Sequence, residues 1–452
     1  MQPFHYHVFI CDQMKPEGVP CCRAKGSAAT IEALRKEVAA RGLTDEVQIT
    51  TCGSLGVCER GPNLVVYPEG IWYSGVRPED VPELVHSHFV EGRVLERLAN
   101  QNEHALQAEI QSNRAKFMAA QSAKEASGVL PDDLNTTLRG WMESRALLTA
   151  LELDVFTAVG SGATAAEVAQ KISTHPRSTE MLLNALAAMG MLTKQQGIYR
   201  TTPVTARYFA EDSKDDARHG LLHTANIWHR WSNLTECVRA GTAVGHQEMA
   251  DRGDDWTKPF IAAMHRNAAE RAPLVVQAVG PAPHDRLLDV GGGSAAYSIA
   301  FAKACESLRA TVLDVPPVLP IAQGHIHAAG LDDRVDTRAG DLRRDPLGKG
   351  YTLILVSAIC HMLSPEENQD LLRRCYEALE PRGRVAIQDF ILEADKTAPK
   401  QAALFALNML VGTPAGSTYS YDEYSAWLRG AGFQDVREIR LPGPSSLMVG
   451  TK

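Results

Sequence analysis

Five of the nine cysteines fall within the first 58 residues: Cys11, Cys21, Cys22, Cys52 and Cys58. Thiolates are soft ligands, and in a reducing compartment such a cluster points to metal binding before disulfides. Cys11 and Cys52 each end a strand-like run, and Cys22 and Cys58 stand on the loops that follow. Four thiolates presented on two loops that meet in the fold can hold zinc or an iron–sulfur cluster. A second group of residues suits a nucleotide. The apolar run Arg286–Val290 leads into Gly291, Gly292, Gly293 and Ser294 and then into a helical segment. Glycines at a strand-to-helix turn let a ligand approach the backbone closely. The next strand, Ala310–Asp314, ends in an acid about twenty residues after that loop, where a carboxylate can accept both hydroxyls of a ribose.

Elements of two kinds must position these residues. The first 95 or so residues read strand, loop, helix, strand, loop, strand, strand. Ile31, Leu34 and Val38 share one face of a helix, and Glu69-Gly70 is a turn between two strands. Residues 99–133 are polar and suit a helical linker. From Leu134 the chain is helical with short turns, with a capping box at Thr164–Glu167 and a short wing-like strand after Gly197. Beyond Arg286 strands and helices alternate, which predicts a parallel sheet with crossover helices. Bulky residues before the glycine loop, Trp228, Trp231, Met264 and His265, suit the wall of a small-molecule pocket.

The segments LLDVGGGS, TVLDVP, AGDLRRDP, ILVSAICHMLSPEENQDLLRRCYEAL and GRVAIQDFIL, in this order, resemble the O-methyltransferases that include plant phenolic and acetylserotonin enzymes. The resemblance covers residues 134–452. It implies S-adenosylmethionine (SAM) as cofactor, with Asp289, Gly291, Gly292 and Gly293 around its methionine part. By the same resemblance Asp314 holds the ribose, and Asp341 and Leu342 flank the adenine. Ser357 joins this cofactor set at a position where plant members often carry lysine. The resemblance further implies His361 as general base and Asp389 as the carboxylate that orients it. Met362 and Thr418 depart from the family pattern, Thr418 where a second supporting glutamate is common. Family members dimerise through the helical segment, which predicts a homodimer.

The stretches FICDQMKPEGVPCCRAKGS and TTCGSLGVCERGPNLVVYPEGIWYSGV resemble the thioredoxin-like 2Fe–2S ferredoxins over residues 1–98. Cys11, Cys22 and Cys58 carry over directly as cluster ligands. Ser54 occupies the usual place of the fourth, so Cys52 is the natural substitute and Cys21 the outside candidate. The expected architecture is therefore α/β throughout. A thioredoxin-like ferredoxin domain spans 1–98, and a winged-helix-like dimerisation domain spans 134–218. A Rossmann-like methyltransferase domain spans 219–452.

The net charge of −8 argues against a nucleic-acid backbone as partner. The start of the chain lacks a basic segment followed by an apolar core, and no run of about 18 apolar residues exists. The expectation is a cytoplasmic enzyme without a membrane span. Its favoured activity is methyl transfer to a small-molecule hydroxyl, phenol or thiol, with the cluster in a structural or redox role. The alternative is a non-methylating SAM-binding enzyme, of hydroxylase, decarboxylase or dehalogenase type, or one that draws electrons from the cluster through a redox partner. A redox-responsive binding module is a third reading, which the intact SAM motifs disfavour.

Overall fold

The computed structural model describes residues 3–15, 19–126, 130–211, 213, 215–245 and 254–452. The chain divides into two compact units, Met1–Leu138 and Arg139–Lys452. No helix among the described residues is long and apolar enough to cross a membrane.

The first unit carries β1 (Tyr6–Cys11), α1 (Ser27–Ala40), β2 (Val47–Cys52), β3 (Asn63–Tyr67) and β4 (Ile71–Ser74), then α2 (Val81–Leu84) and α3 (Glu103–Ala126). The strands form one sheet in the order β2-β1-β3-β4. β1 and β2 are parallel, which requires the crossover that α1 supplies. β3 runs antiparallel to both β1 and β4. Val8 and Ile10 of β1 alternate with half-buried His7 and Phe9, and with Leu64 and Val66 of the wholly buried run in β3 they share a core with Ile31, Leu34 and Val38 of α1. The β1–β2 register sets Cys11 directly beside Cys52.

In the second unit, the part of α4 (Asp132–Glu152) from Arg139 on, α5 (Val155–Val159), α6 (Ala165–Lys171), α7 (Pro176–Ala188) and α8 (Pro203–Phe209) surround the hairpin β5 (Leu192–Gln195) and β6 (Ile198–Thr201). Phe156, Leu183, Leu186 and Tyr199 form their shared core. The capping box at α6 is present: Glu167 N–H donates to Thr164 Oγ1 and Thr164 N–H to Glu167 Oε2. There follow α9 (Arg218–Trp231), α10 (Leu234–Ala240) and α11 (Asp254–Val279).

The remainder alternates β7 (Arg286–Val290), α12 (Ala296–Ala304), β8 (Arg309–Asp314), α13 (Leu319–Ala328), β9 (Val335–Ala339), β10 (Tyr351–Ser357), α14 (Pro365–Ala378) and β11 (Leu379–Asp389). Short strands β12 (Ile391–Leu392) and β13 (Tyr419–Ser420) flank α15 (Lys400–Gly412), and α16 (Tyr421–Gly430), β14 (Gln434–Ile439) and β15 (Ser446–Thr451) complete the unit. The main sheet has seven strands in the order β14-β15-β11-β10-β7-β8-β9. The all-parallel expectation needs correction at one edge, where β15 runs antiparallel to both β11 and β14. Only residues 440–445 join β14 to β15, too few for the crossover that a parallel neighbour needs. The order reverses direction between β7 and β10, so a crevice opens beyond the carboxyl ends of these strands. Leu288, Val290, Ile354 and Val356 seal one face of the sheet, and Leu287, Leu353 and Leu355 the other.

Candidate active site

The glycine loop leaves β7 at the crevice. Gly291 has φ +67° and Gly293 φ +56°, conformations that side chains rarely adopt. Space is equally restrictive at Gly292, where a Cβ would lie 2.8 Å from the Asp289 carboxyl carbon and 2.9 Å from Val312. The bare loop thus holds its backbone close to a carboxylate. Asp289 is 1% exposed. Its Oδ2 accepts Ser298 Oγ at 2.7 Å, and its Oδ1 has no hydrogen-bond partner among the described residues. A buried carboxylate oxygen without a donor fits a cationic or N–H-bearing ligand such as the amino acid end of SAM. At the tip of β8, Asp314 accepts Gly293 N–H at 2.8 Å and Val315 N–H at 2.7 Å. Leu342 packs toward the loop, with Cδ2 3.2 Å from a Cβ built at Gly291. Asp341 is half-buried and accepts Arg343 N–H. The residues present fit the cofactor that the loop implies.

Burial pushes the Asp289 carboxyl up to about 6, with Ser298 opposing and the Asp314 charge adding to the rise. The ordinary aspartate value is about 3.9. Between about pH 4 and pH 6 the folded state therefore keeps a proton that the unfolded chain has released, and stability falls as pH rises through that window. The full difference is on the order of 3 kcal/mol. Asp289→Asn is expected to remove this slope from the ligand-free protein. Denaturant titrations at pH 4 and pH 6.5 check it, and parallel pH dependences for variant and wild type would contradict it.

Beyond β10, a 3-10 turn at Cys360–Met362 carries His361, and the end of β11 carries Asp389. β10 and β11 are adjacent and parallel, so their tips meet. His361 Nδ1 lies 2.6 Å from Asp389 Oδ1, while His361 N–H donates to Asp389 Oδ2 at 3.1 Å. Phe390 N–H also donates to Oδ1. A carboxylate only accepts, so the proton of the neutral ring sits on Nδ1 and Nε2 is left basic. His361 is 6% and Asp389 1% exposed, which shields the pair from bulk water. Phe405 of α15 stands edge-on to the His361 ring at 5.0 Å and stacks on Phe390 at 4.0 Å. Neither phenylalanine stood out in the sequence. Thr418 is fully buried and donates to Ala402 O at 3.0 Å. Asp389, not a residue at position 418, is accordingly the carboxylate that meets His361.

The other expected site residues separate. Ser357 Oγ donates to Gln388 Oε1 at 2.7 Å, joining a buried chain that continues to Ser445 and Arg271. Trp231 Nε1 donates to Asn408 Oδ1 of α15 at 3.0 Å. Trp228 instead lies under Arg145 of α4, whose guanidinium carbon is 5.8 Å from the ring centre. His265 Nδ1 pairs with Ser294 Oγ at 2.8 Å, and its ring stacks on His325 at 3.9 Å. It therefore sits at the end of the glycine loop. Met264 beside it is half-buried.

In the first unit, Cys11 and Cys22 are fully buried. Cys11 and Cys22 interact, which lowers the Cys11 thiol below its ordinary range and, together with burial, raises that of Cys22. Asn63 Nδ2 reaches Cys22 Sγ at 3.4 Å. Cys58 Sγ is 3.2 Å from Ser54 Oγ and 3.3 Å from Lys15 Nζ. Cys52 flanks Cys11 in the sheet register, and its thiol is pushed up by burial and by the Cys11 charge. Cys21 Sγ accepts Ala24 N–H. Among the described residues, no three His, Cys, Asp or Glu side chains converge on a single metal position.

A doubly wound sheet with a glycine loop, an acid at the end of the next strand and a buried histidine–carboxylate pair at the tips of β10 and β11 is the frame of a nucleotide-cofactor enzyme. The sequence matches the O-methyltransferase domain over residues 231–434 and the O-methyltransferase dimerisation domain over residues 136–211. It is 34% identical over 347 residues to 3-hydroxy-5-methyl-1-naphthoate 3-O-methyltransferase of Streptomyces sahachiroi, covering 73% of this chain and 99% of the relative. Acetylserotonin O-methyltransferase of Bos taurus is 29% identical, over 69% of this chain and 95% of its own length. Among solved structures, PigF with SAH superposes with a TM-score of 0.66 at 28% identity, over 72% of this chain and all of that one. The chain belongs to the SAM-dependent O-methyltransferase family, and it is a SAM-dependent methyltransferase of small molecules.

Proposed function

We propose that the enzyme methylates the hydroxyl of an aromatic small molecule, with His361 as general base and Asp389 as its positioning carboxylate. The observation that carries this reading is the 2.6 Å contact between His361 Nδ1 and Asp389, which directs the basic Nε2 away from its own support. SAM, when bound, supplies a methyl group already activated on a sulfonium. The loop at Gly291–Gly293 and the acids Asp289, Asp314 and Asp341, with Leu342 and Ser357, hold that cofactor. His361 Nε2 would take the proton of the acceptor hydroxyl and leave its oxygen free to receive the methyl group that SAM would supply. Asp389 keeps the ring in the useful tautomer and compensates the charge that the imidazolium gains. Phe390 and Phe405 offer an aromatic acceptor a stacking surface and keep water from the base. Alignment of acceptor and methyl supplies about 7–11 kcal/mol, and the base a further 10²- to 10⁴-fold.

The Streptomyces sahachiroi relative acts, by its name, on a hydroxynaphthoate, and an acceptor of that size and aromaticity suits the phenylalanine pair. Incubation with SAM and a panel of hydroxylated naphthoates should produce one S-adenosylhomocysteine per methyl ether. Ether-free S-adenosylhomocysteine, or none, would count against this acceptor class. A homodimer through the helical segment is part of the proposal. The dimerisation-domain match supports it, as do Trp141 and Met142 on α4, 55% and 54% exposed.

For the first unit we propose a thioredoxin-like domain holding a 2Fe–2S cluster in a structural or redox role. Its sheet order and its buried thiols support this. Such a cluster takes two thiolates per iron, so its ligands come as two pairs rather than as a ring about one metal. Cys11, Cys22 and Cys58 are three of these ligands and Cys52 the fourth, with Cys21 the outside candidate. The protein purified without oxygen is expected to contain two iron and two sulfide per chain, lost in Cys22→Ala. Colourless protein free of iron after anaerobic iron and sulfide reconstitution would overturn it.

A further inference from the structure

Gly291, Gly293 and Ala295 of the cofactor loop all have positive φ. Ala295 is not a glycine, yet it stands at φ +65° as the N-cap of α12, and no side chain caps that helix there. A residue with a Cβ holds such a conformation only where its surroundings fix it. Ser294, 4% exposed, lies between Gly293 and Ala295. Its Oγ pairs with His265 Nδ1 of α11 at 2.8 Å. His325, in the last turn of α13, stacks on the His265 ring at 3.9 Å with the two planes 10° apart. Burial and the neighbouring His325 hold His265 below the ordinary histidine value. The ring is therefore neutral near pH 7 and can pair with a hydroxyl in either direction.

We propose that His265, steadied by His325, is a positioning residue for the cofactor: through Ser294 it fixes the loop in the shape that presents Asp289 and Asp314 to SAM. This rests on the reading of the loop as the SAM site. Both acids depend on the segment that Ser294 anchors. On one side, Gly293 N–H donates to Asp314 Oδ2 at 2.8 Å. On the other, Ser298 in the first turn of α12 donates to Asp289 Oδ2 at 2.7 Å. A shift at Ser294 is therefore transmitted to both carboxylates. His265 acts on the cofactor without having to touch it, because α11 and α13 brace the loop through their two rings. A loop already held in its binding shape loses less conformational freedom when the ligand arrives.

The test is a double-mutant cycle on SAM affinity, measured by calorimetry on the full chain. Ser294→Ala and His265→Phe are each expected to raise the Kd for SAM about 3- to 10-fold, the worth of one buried hydrogen bond. The double variant should bind no more weakly than the weaker of the two single variants, because both changes remove the same bond. His265→Asn, whose amide can reach Ser294 from about the place of Nδ1, should recover part of the loss. Effects that multiply in the double variant would overturn the proposal. So would unchanged Kd values beside a lowered melting temperature, the result of a bond that serves stability alone. Wild-type protein that fails to bind SAM would overturn the cofactor reading, and this proposal with it. Should His265→Phe not fold, Ser294→Ala must raise the Kd by itself and His265→Asn must raise it less.

Discussion

Replacing His361 by glutamine is expected to lower kcat for methyl transfer by about 10²- to 10⁴-fold while leaving SAM affinity near that of wild type. Glutamine retains a group that can hydrogen-bond Asp389 but offers no base at the position of Nε2. The cofactor loop lies on β7, and the residue removed sits at the tip of β10, so binding and chemistry should separate. Asp389 would still be held by the backbone N–H groups of His361 and Phe390, which keeps the tip of β11 in place. Calorimetry with SAM and a rate assay on the same preparation measure both quantities. A kcat within tenfold of wild type would remove His361 from the proton's path.

Gly291→Ala is expected to have the second largest effect, on both stability and cofactor binding. The residue sits at φ +67°, where a side chain costs about 1–2 kcal/mol. Its Cβ would clash with Ile359 Cδ1 and meet Ile359 Cγ1 at 3.0 Å and Leu342 Cδ2 at 3.2 Å. Overpacking of this kind costs a further 1–3 kcal/mol or so. Ile359 immediately precedes the turn that carries His361, so relief of the clash moves the base as well as the loop. The unfolding free energy should fall by about 2–5 kcal/mol and SAM affinity by roughly tenfold or more. Stability and affinity equal to wild type would show that the loop's shape does not limit either.

Much of the second unit was legible because its chemistry is local. A strand of five apolar-flanked residues, a glycine turn and an acid at the next strand end are contiguous signals, and β7 and β8 lie where the apolar runs predict. His361 and Asp389 were readable through the family resemblance, and the register of β10 on β11 explains why residues 28 apart in sequence meet. Other features depend on pairings that no local pattern encodes. The antiparallel entry of β15 between β11 and β14 follows from loop length and sheet position, whereas its own alternation suits either direction. Phe405 reads as an ordinary core residue of an apolar helix until α15 is seen against the His361 turn. His265 looked like a pocket residue, and only the packing of α11 beside the glycine loop reveals its bond to Ser294. In the first unit the thiols were legible as a group. The contact of Cys22 with Cys11, and of Cys58 with Ser54 and Lys15, depends on how two loops fold back on one another.

The proposed methyl transfer needs no electrons. The most direct measurement follows methyl-labelled SAM in protein purified without oxygen and supplied with 3-hydroxy-1-naphthoate, with and without dithionite, by mass spectrometry. The expected result is label on the naphthoate oxygen, matched one to one by S-adenosylhomocysteine, at a rate that the reductant does not change. Intact SAM beside a converted naphthoate, or conversion only when dithionite is present, would contradict it.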